Sequence, residues 1–366
     1  MRVAKTILRQ IVMSCALLSC FAFGSLGCVL GDEPAKAPVV PQTLLKLIHA
    51  PQVQQELGFQ VDDAALLAAL REVDGAWWRS RNLPEEKQQA VVVGLEKQLL
   101  TRLEGVLGKD KIKRLREIEA QAQGYRSLLR PGIAKAVGLS EAQNRDVREI
   151  CFETDRLASS FAVSKRVDAE AQQELLAARE GEEKKLRELL TSGQQVALAK
   201  LVGEPFDTQG LQRILPLAPE LIDSGEWAGG EPTTLAGQKG KVVLVHFYAF
   251  QCHNCVANFD HYNRWHETLA SRGVSVIGIQ TPETAAERDI ALVRKAAKEK
   301  GFGFPVLIDT ENKNWDAWGN TMWPTVYVVD RSGYIRTWWQ GELNWQGATG
   351  DKSIEELVDQ LLEETP

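Results

Sequence analysis

The spacing of hydrophobic and polar positions changes along the chain. From Ile11 to Leu30 no residue is charged, and Arg2, Lys5 and Arg9 stand ahead of that run. Between about 41 and 205 apolar residues recur at helical spacing, as in Leu186, Leu189 and Leu190 or Leu198 and Leu201, which predicts amphipathic helices. After 240 the pattern becomes that of strands. Lys241 to Tyr248 is a nearly continuous apolar, β-branched run, which predicts a strand buried on both faces. Cys252-His-Asn-Cys255 comes next, and Val256 to Ser271 returns to helical spacing. Val276 to Gln280 reads as a strand, 284–300 as a helix and Thr325 to Asp330 as a strand, with Asp330-Arg-Ser-Gly333 as the hairpin turn between the last two strands.

The amino-terminal thirty residues read as an address. The basic positions and the uncharged run make residues 1–27 a secretory signal, and Gly31 to Pro41 a polar, Pro-rich linker. Small residues at Ser25 and Gly27 suit cleavage ahead of Cys28, which resembles the lipidated cysteine of a bacterial lipobox. Leu17-Leu-Ser-Cys20 is a second lipobox-like candidate, and an uncleaved membrane anchor is a third fate. Each puts the folded part in the periplasm or cell envelope, and lipidation at Cys28 would tether it to a membrane.

Composition separates two halves. The segment 42–204 is rich in Ala, Leu, Glu, Lys, Arg and Gln, and holds only Trp77 and Trp78 of the ten tryptophans. It is expected to be an all-α domain, with 205–240 as connector and 241–366 as a second domain. The helical half repeats: Ile48-His-Ala-Pro51 matches Leu128-Leu-Arg-Pro131 at an offset of 80, and Leu107 to Ile118 matches Leu190 to Leu201 at 83. Leu190-Thr-Ser-Gly-Gln194 resembles the L-T-x-x-Q repeats of Spy-type helical proteins, which implies client binding; a scaffold or dimerising spacer is the plainer expectation. Formal charge is −6, and loss of 1–27 leaves 40 basic against 49 acidic residues, a balance of −9 that argues against a nucleic-acid partner.

Six cysteines lie at 15, 20, 28, 151, 252 and 255, too sparse for a disulfide-stapled fold. Cys151 in its helical run reads as a small buried hydrophobe. The pair that carries chemistry is Cys252 and Cys255. Between a strand and a helix, a C-x-x-C puts its first sulfur at the helix start, where free N–H groups favour thiolate, and its second one turn on. Cys252 would attack a disulfide and Cys255 resolve the mixed disulfide. A c-type haem is excluded because Val256, not His, comes directly after the motif. Zinc on Cys252, Cys255, His261 and His266 has the wrong spacing, so no metal is expected, and a structural disulfide remains an alternative. The chain has no Gly-rich nucleotide fingerprint, and no dissociable cofactor is implied.

These residues, with Asn263-Arg-Trp-His266, Phe304-Pro-Val-Leu-Ile-Asp309, Trp318-Gly-Asn320 and Trp323-Pro324, resemble the thioredoxin-like domain of the DipZ and TlpA type. The resemblance covers about 231–364 and implies an α/β fold, a central mixed sheet flanked by helices, preceded here by the all-α domain. It implies Cys252 as nucleophile, Cys255 as resolving thiol, Trp323 and a cis Pro324 facing the dithiol for substrate pairing, and Glu283 as an acid near it that either assists proton transfer to Cys255 or is a solvated turn carboxylate. His246 stands where thioredoxins often carry a buried acid; it either relays a proton and favours thiolate by its charge or is a core histidine. His253 inside the motif would stabilise the reduced form.

The expectation is therefore an exported thiol–disulfide oxidoreductase acting on protein disulfides or dithiols, with a redox partner in the membrane. A competing reading is an envelope adaptor or chaperone-like binder whose dithiol is a sensor or structural bridge. A thiol peroxidase lacks the P-x-x-x-T-x-x-C pattern it would need.

Overall fold

The computed structural model describes residues 40–59, 63–164, 168–208, 210–211 and 216–364. Residues 1–27, expected as a signal, both lipobox-like candidates and Cys28 lie outside them. The chain divides into two compact units, Met1–Val61 with Pro84–Arg213 and Asp62–Leu83 with Ile214–Pro366, each considered over its described residues.

The helices of the amino-terminal half are α1 (Leu44–His49), α2 (Pro51–Glu56), α3 (Ala64–Ser80), α4 (Glu85–Gln123), α5 (Pro131–Val137), α6 (Glu141–Ser164), α7 (Ala169–Leu189) and α8 (Ser192–Val202). A 3₁₀ turn, Gly124–Leu129, precedes α5. Pro51 and Pro131 each open a helix, where a missing N–H costs nothing. Gly108, at φ 75° and ψ 170°, breaks the helical path of α4. The core of the first unit gathers Tyr125, Leu128, Val137, Val147, Leu186, Leu190, Leu198 and Val202 around Cys151, which is fully buried.

Helix α3 departs from the expected continuous helical domain over 42–204, because it belongs to the second unit. Its buried side recurs at helical spacing through Leu66, Leu70, Val73 and Trp78. Trp78 joins a core cluster with Val243, Val245, Phe247, Trp318 and Tyr327 of the carboxy-terminal half. Trp78 finds its partners on the sheet, and the buried Asp74 accepts from the Leu217 N–H at 3.1 Å, in the segment ahead of β1.

The sheet has six strands in the order β1-β4-β3-β2-β5-β6: β1 (Trp227–Gly229), β2 (Val242–Tyr248), β3 (Val274–Gln280), β4 (Pro305–Ile308), β5 (Thr325–Val329) and β6 (Ile335–Gln340). β2, β3 and β4 run parallel; β1, β5 and β6 pair antiparallel. Every residue of β2 is buried, as its unbroken apolar run predicts. The intervening helices are α9 (His253–Val256), α10 (Phe259–Leu269), α11 (Ile290–Glu299), α12 (Lys313–Trp318) and, last, α13 (Gly350–Glu363). One face of β2 packs through Leu244 and Tyr248 against Cys255, Phe259, Tyr262, Trp265 and, from α13, Ile354, Val358 and Leu361. This mixed sheet flanked by helices is the arrangement expected for the carboxy-terminal half.

Two helices expected as single pieces are split. The helix after the dithiol breaks at Ala257-Asn258, because the buried Asn258 side chain bonds elsewhere: its Nδ2 donates to Gly341 O and its Oδ1 accepts from Leu343 N. The segment 284–300 is a 3₁₀ turn, Ala285–Arg288, and then α11, with Asp289 capping the second piece through the N–H groups of Ala291 and Leu292.

Candidate functional site

Cys252 is the N-cap of α9, and its sulfur accepts the backbone N–H of Cys255 at 3.3 Å. The local sequence enforces this. Tyr248 ends a fully buried strand, and three residues carry the chain to a helix start, where N–H groups have no partner of their own. Both cysteines are free thiols, Cys252 partly exposed and Cys255 fully buried. The Cys252 thiol is held below its ordinary range, first by a hydrogen bond from the Cys255 side chain, against the opposing effect of burial. The Cys255 thiol is pushed far up, first by burial and then by donating that bond. One sulfur is poised as thiolate and the other as its proton-bearing neighbour.

Glu283 is exposed, and its charge opposes ionisation of both sulfurs. The buried acid beside the motif is instead Glu287, with no exposed surface. One carboxylate oxygen accepts the Gln251 N–H at 2.7 Å; the other accepts the N–H groups of Glu283 and Thr284 at 2.7 and 2.9 Å. Thr284 Oγ1 donates to Gln251 Oε1 at 2.6 Å. Glu287 thus ties the residue before Cys252 to the loop after β3. It was legible as Thr284-Ala-Ala-Glu287, a capping-box pattern, and the box is formed.

Pro324 is cis and buried, and Trp323 is half-buried against the same core cluster as Cys252 and Cys255. The two segments share an anchor: Gly341 N donates to Pro324 O at 2.8 Å, and Gly341 O accepts from Asn258 at 3.1 Å. Trp323 stacks on Trp315 with ring centroids 4.1 Å apart. His253 is exposed at the start of α9.

His246 does not act through charge. It is fully buried among Tyr248, Tyr262, Phe302 and Phe304, with the Tyr262 ring stacked at 3.9 Å, and neither ring nitrogen has a hydrogen-bond partner among the described residues. Burial pushes its pKa down to about 3, so the imidazole is neutral. Of the two expected alternatives, relay or core histidine, this buried and unpartnered ring fits the core histidine. Gly278 makes its room, since a Cβ there would lie 3.1 Å from His246 Nε2. No cluster of metal-ligating side chains is found among the described residues.

Comparisons with known proteins fall on this unit. The AhpC/TSA family model matches residues 219–338. Protein DipZ of Mycobacterium bovis is 35% identical over 149 residues, 40% of this chain and 20% of that protein. Thiol-disulfide oxidoreductase YkuV of Bacillus subtilis is 28% identical over 149 residues, 40% of this chain and 95% of that protein. A crystal structure of a thiol-disulfide isomerase from Corynebacterium glutamicum aligns at 25% identity with a TM-score of 0.36, covering 41% of this chain and 97% of that one. The chain spans a fifth of the length of the DipZ proteins it matches.

Proposed function

Taking the carboxy-terminal unit as a thioredoxin-like domain, we propose that it is a thiol–disulfide oxidoreductase acting on protein disulfides. The observation that carries this reading is the asymmetry of the two sulfurs: a partly exposed Cys252 with a lowered thiol, and a buried Cys255 with a raised one that donates to it. In the reducing direction the Cys252 thiolate attacks one sulfur of a substrate disulfide. That S–S bond breaks, and the leaving thiolate takes up a proton. Cys255 then loses its proton and attacks the Cys252 sulfur, closing the enzyme disulfide and releasing the second substrate thiolate, which is protonated. Two electrons and two protons have passed to the substrate, and the reverse sequence oxidises a dithiol. Trp323 and Pro324 border the approach, Glu287 fixes the turn ahead of Cys252, and His253 and Glu283 modulate the sulfurs from the surface.

The uncharged segment after Arg2, Lys5 and Arg9 supports export to the envelope, with a lipid on Cys28 as the tether. An exported dithiol needs a membrane protein to restore its redox state. Cys252→Ser is expected to abolish reduction of insulin disulfides, and Cys255→Ala to accumulate mixed disulfides on Cys252. Insulin turnover that survives Cys252→Ser would sink the enzyme reading in favour of a binding protein; consumption of peroxide in place of insulin would replace it with a peroxidase.

A further inference from the structure

The carboxyl end of α12 is capped by a helix that comes from the other half of the sequence. A helix leaves its last carbonyls without partners, and here they are the oxygens of Ala317, Trp318 and Gly319. Trp78 Nε1, in the last turn of α3, donates to Trp318 O at 2.8 Å. Arg81 Nη2 donates to Gly319 O at 2.8 Å, Trp318 O at 3.1 Å and the Tyr327 hydroxyl at 3.3 Å. Asn82 adds a bond to Gly319 O at 2.8 Å, and Arg79 one to Ala317 O at 3.4 Å. The Arg81 guanidinium also lies 3.7 Å from the Trp78 ring centroid. A planar cation with several N–H groups, set at the negative end of a helix, suits this place better than any neutral donor. The fit is close: a Cβ on Gly319 would sit 3.1 Å from Arg81 Nη1.

The segment just after Gly319 leads to the pair that borders the dithiol. Asn320 accepts from the Tyr327 hydroxyl at 2.6 Å, the hydroxyl that Arg81 reaches from its other side. Trp315, on α12 itself, stacks on Trp323. The loop from Gly319 to Pro324 is therefore pinned where it begins and held along one side by α12. We propose that Trp78 and Arg81 are positioning residues for substrate docking: by capping α12 they set where Trp323 and Pro324 present their backbone to an incoming chain. The oxidoreductase would then be incomplete without residues 62–83, although the cysteine motif lies about 170 positions further on.

This rests on the proposed oxidoreductase reading, and the test separates the two. The full chain is compared with Arg81→Ala, Arg81→Lys and the milder Trp78→Phe, which keeps a ring and removes one N–H. Each is assayed against insulin and against hydroxyethyl disulfide, which is too small to need the loop. The expected result for Arg81→Ala is a rise of about tenfold in KM for insulin, with the rate on hydroxyethyl disulfide unchanged within about twofold. Arg81→Lys recovers part of the loss, and Trp78→Phe shows about a threefold rise of the same kind. Val293→Ala, in the buried face of α11, is the control for lost stability and leaves both substrates alike. If Arg81→Ala fails to fold, Trp78→Phe decides. Equal insulin kinetics in wild type and Trp78→Phe, or equal losses on both substrates, would overturn the proposal. No insulin reduction by the wild-type chain would overturn the oxidoreductase reading beneath it.

Discussion

Glu287→Gln tests whether a buried carboxylate holds the dithiol turn. The side chain has no exposed surface and accepts three backbone N–H groups, two on one oxygen and one on the other. A glutamine keeps one acceptor oxygen and turns the other into an NH₂ group. If the oxygen stays on Glu283 and Thr284, the NH₂ faces the Gln251 N–H, donor against donor, in a dry site. The loss comprises one charge-assisted hydrogen bond, the weakening of two more, and a buried N–H left without a partner. Together these amount to about 3 kcal/mol. For a domain of this size that corresponds to a fall in Tm of roughly 6–12 °C. The local effect is specific: Gln251 precedes Cys252, so freeing its N–H loosens the motif itself. Urea unfolding followed by tryptophan fluorescence gives the stability, and amide hydrogen exchange at Gln251 and Cys252 gives the local opening. A loss below about 1 kcal/mol with unchanged exchange at those amides would refute the claim that this carboxylate fixes the turn.

The electrostatics lead to two further expectations. Because the largest influence lowering the Cys252 thiol is the hydrogen bond from Cys255, Cys255→Ala should move the pH midpoint of Cys252 alkylation by iodoacetamide upward, leaving less thiolate at pH 7; an unmoved or lower midpoint would show that another group stabilises the thiolate. His246 has a folded pKa of about 3 against an unfolded value near 6.5, so the unfolded chain binds its proton first as pH falls. Stability is kept above about pH 6.5 and falls through the window down to about 3, with a loss of about 2.5 kcal/mol between pH 7 and 4.5. Tyr248 and Tyr262, which flank it, stay protonated throughout that window, since burial raises both hydroxyls above their ordinary value. His246→Phe should remove that part of the acid sensitivity, measured as the difference in urea midpoints at the two pH values. An equal pH dependence in wild type and variant would mean that the imidazole is solvated or paired.

The range of the interactions decides how much of this architecture is legible in the sequence. The run Val242–Tyr248 announces its strand because a buried parallel strand needs apolar residues on both faces. The dithiol announces its place on a strand-to-helix turn for similarly local reasons. The break at Asn258 is hidden, since its cause is a bond to Gly341 more than eighty residues away. The choice between Glu283 and Glu287 is hidden in part: both come after β3, and only the fold decides which is enclosed. The capping pattern at Thr284 is the local signal for the enclosed Glu287, while Glu283 stays exposed with its charge acting on both sulfurs. His246 is concealed more deeply. Its charge state depends on four aromatic rings brought from β2, α10 and the segment before β4, and no local pattern reports that company.

The order of helices sharpens the repeat seen in the sequence. In the first copy α1 and α2 meet at a proline, and α3 and a long α4 with a break at Gly108 come after them. In the second, a 3₁₀ turn and α5 meet at a proline, succeeded by α6, α7 and α8. An offset of 80 carries α3 onto residues 144–160 of α6, and an offset of 83 carries Gly108 onto Thr191, the cap of α8. This correspondence supports two copies of one helical pattern. The copies differ in what their third helix does. Helix α6 stays with its own core through Val147 and Cys151, whereas α3 carries Trp77, Trp78 and Asp74 and belongs to the second unit. A duplication frees one copy of a helix to change its buried face while the other keeps the original packing. On this argument the tryptophans of α3 are the mark of that change. Trp78 is, in packing terms, a residue of the sheet.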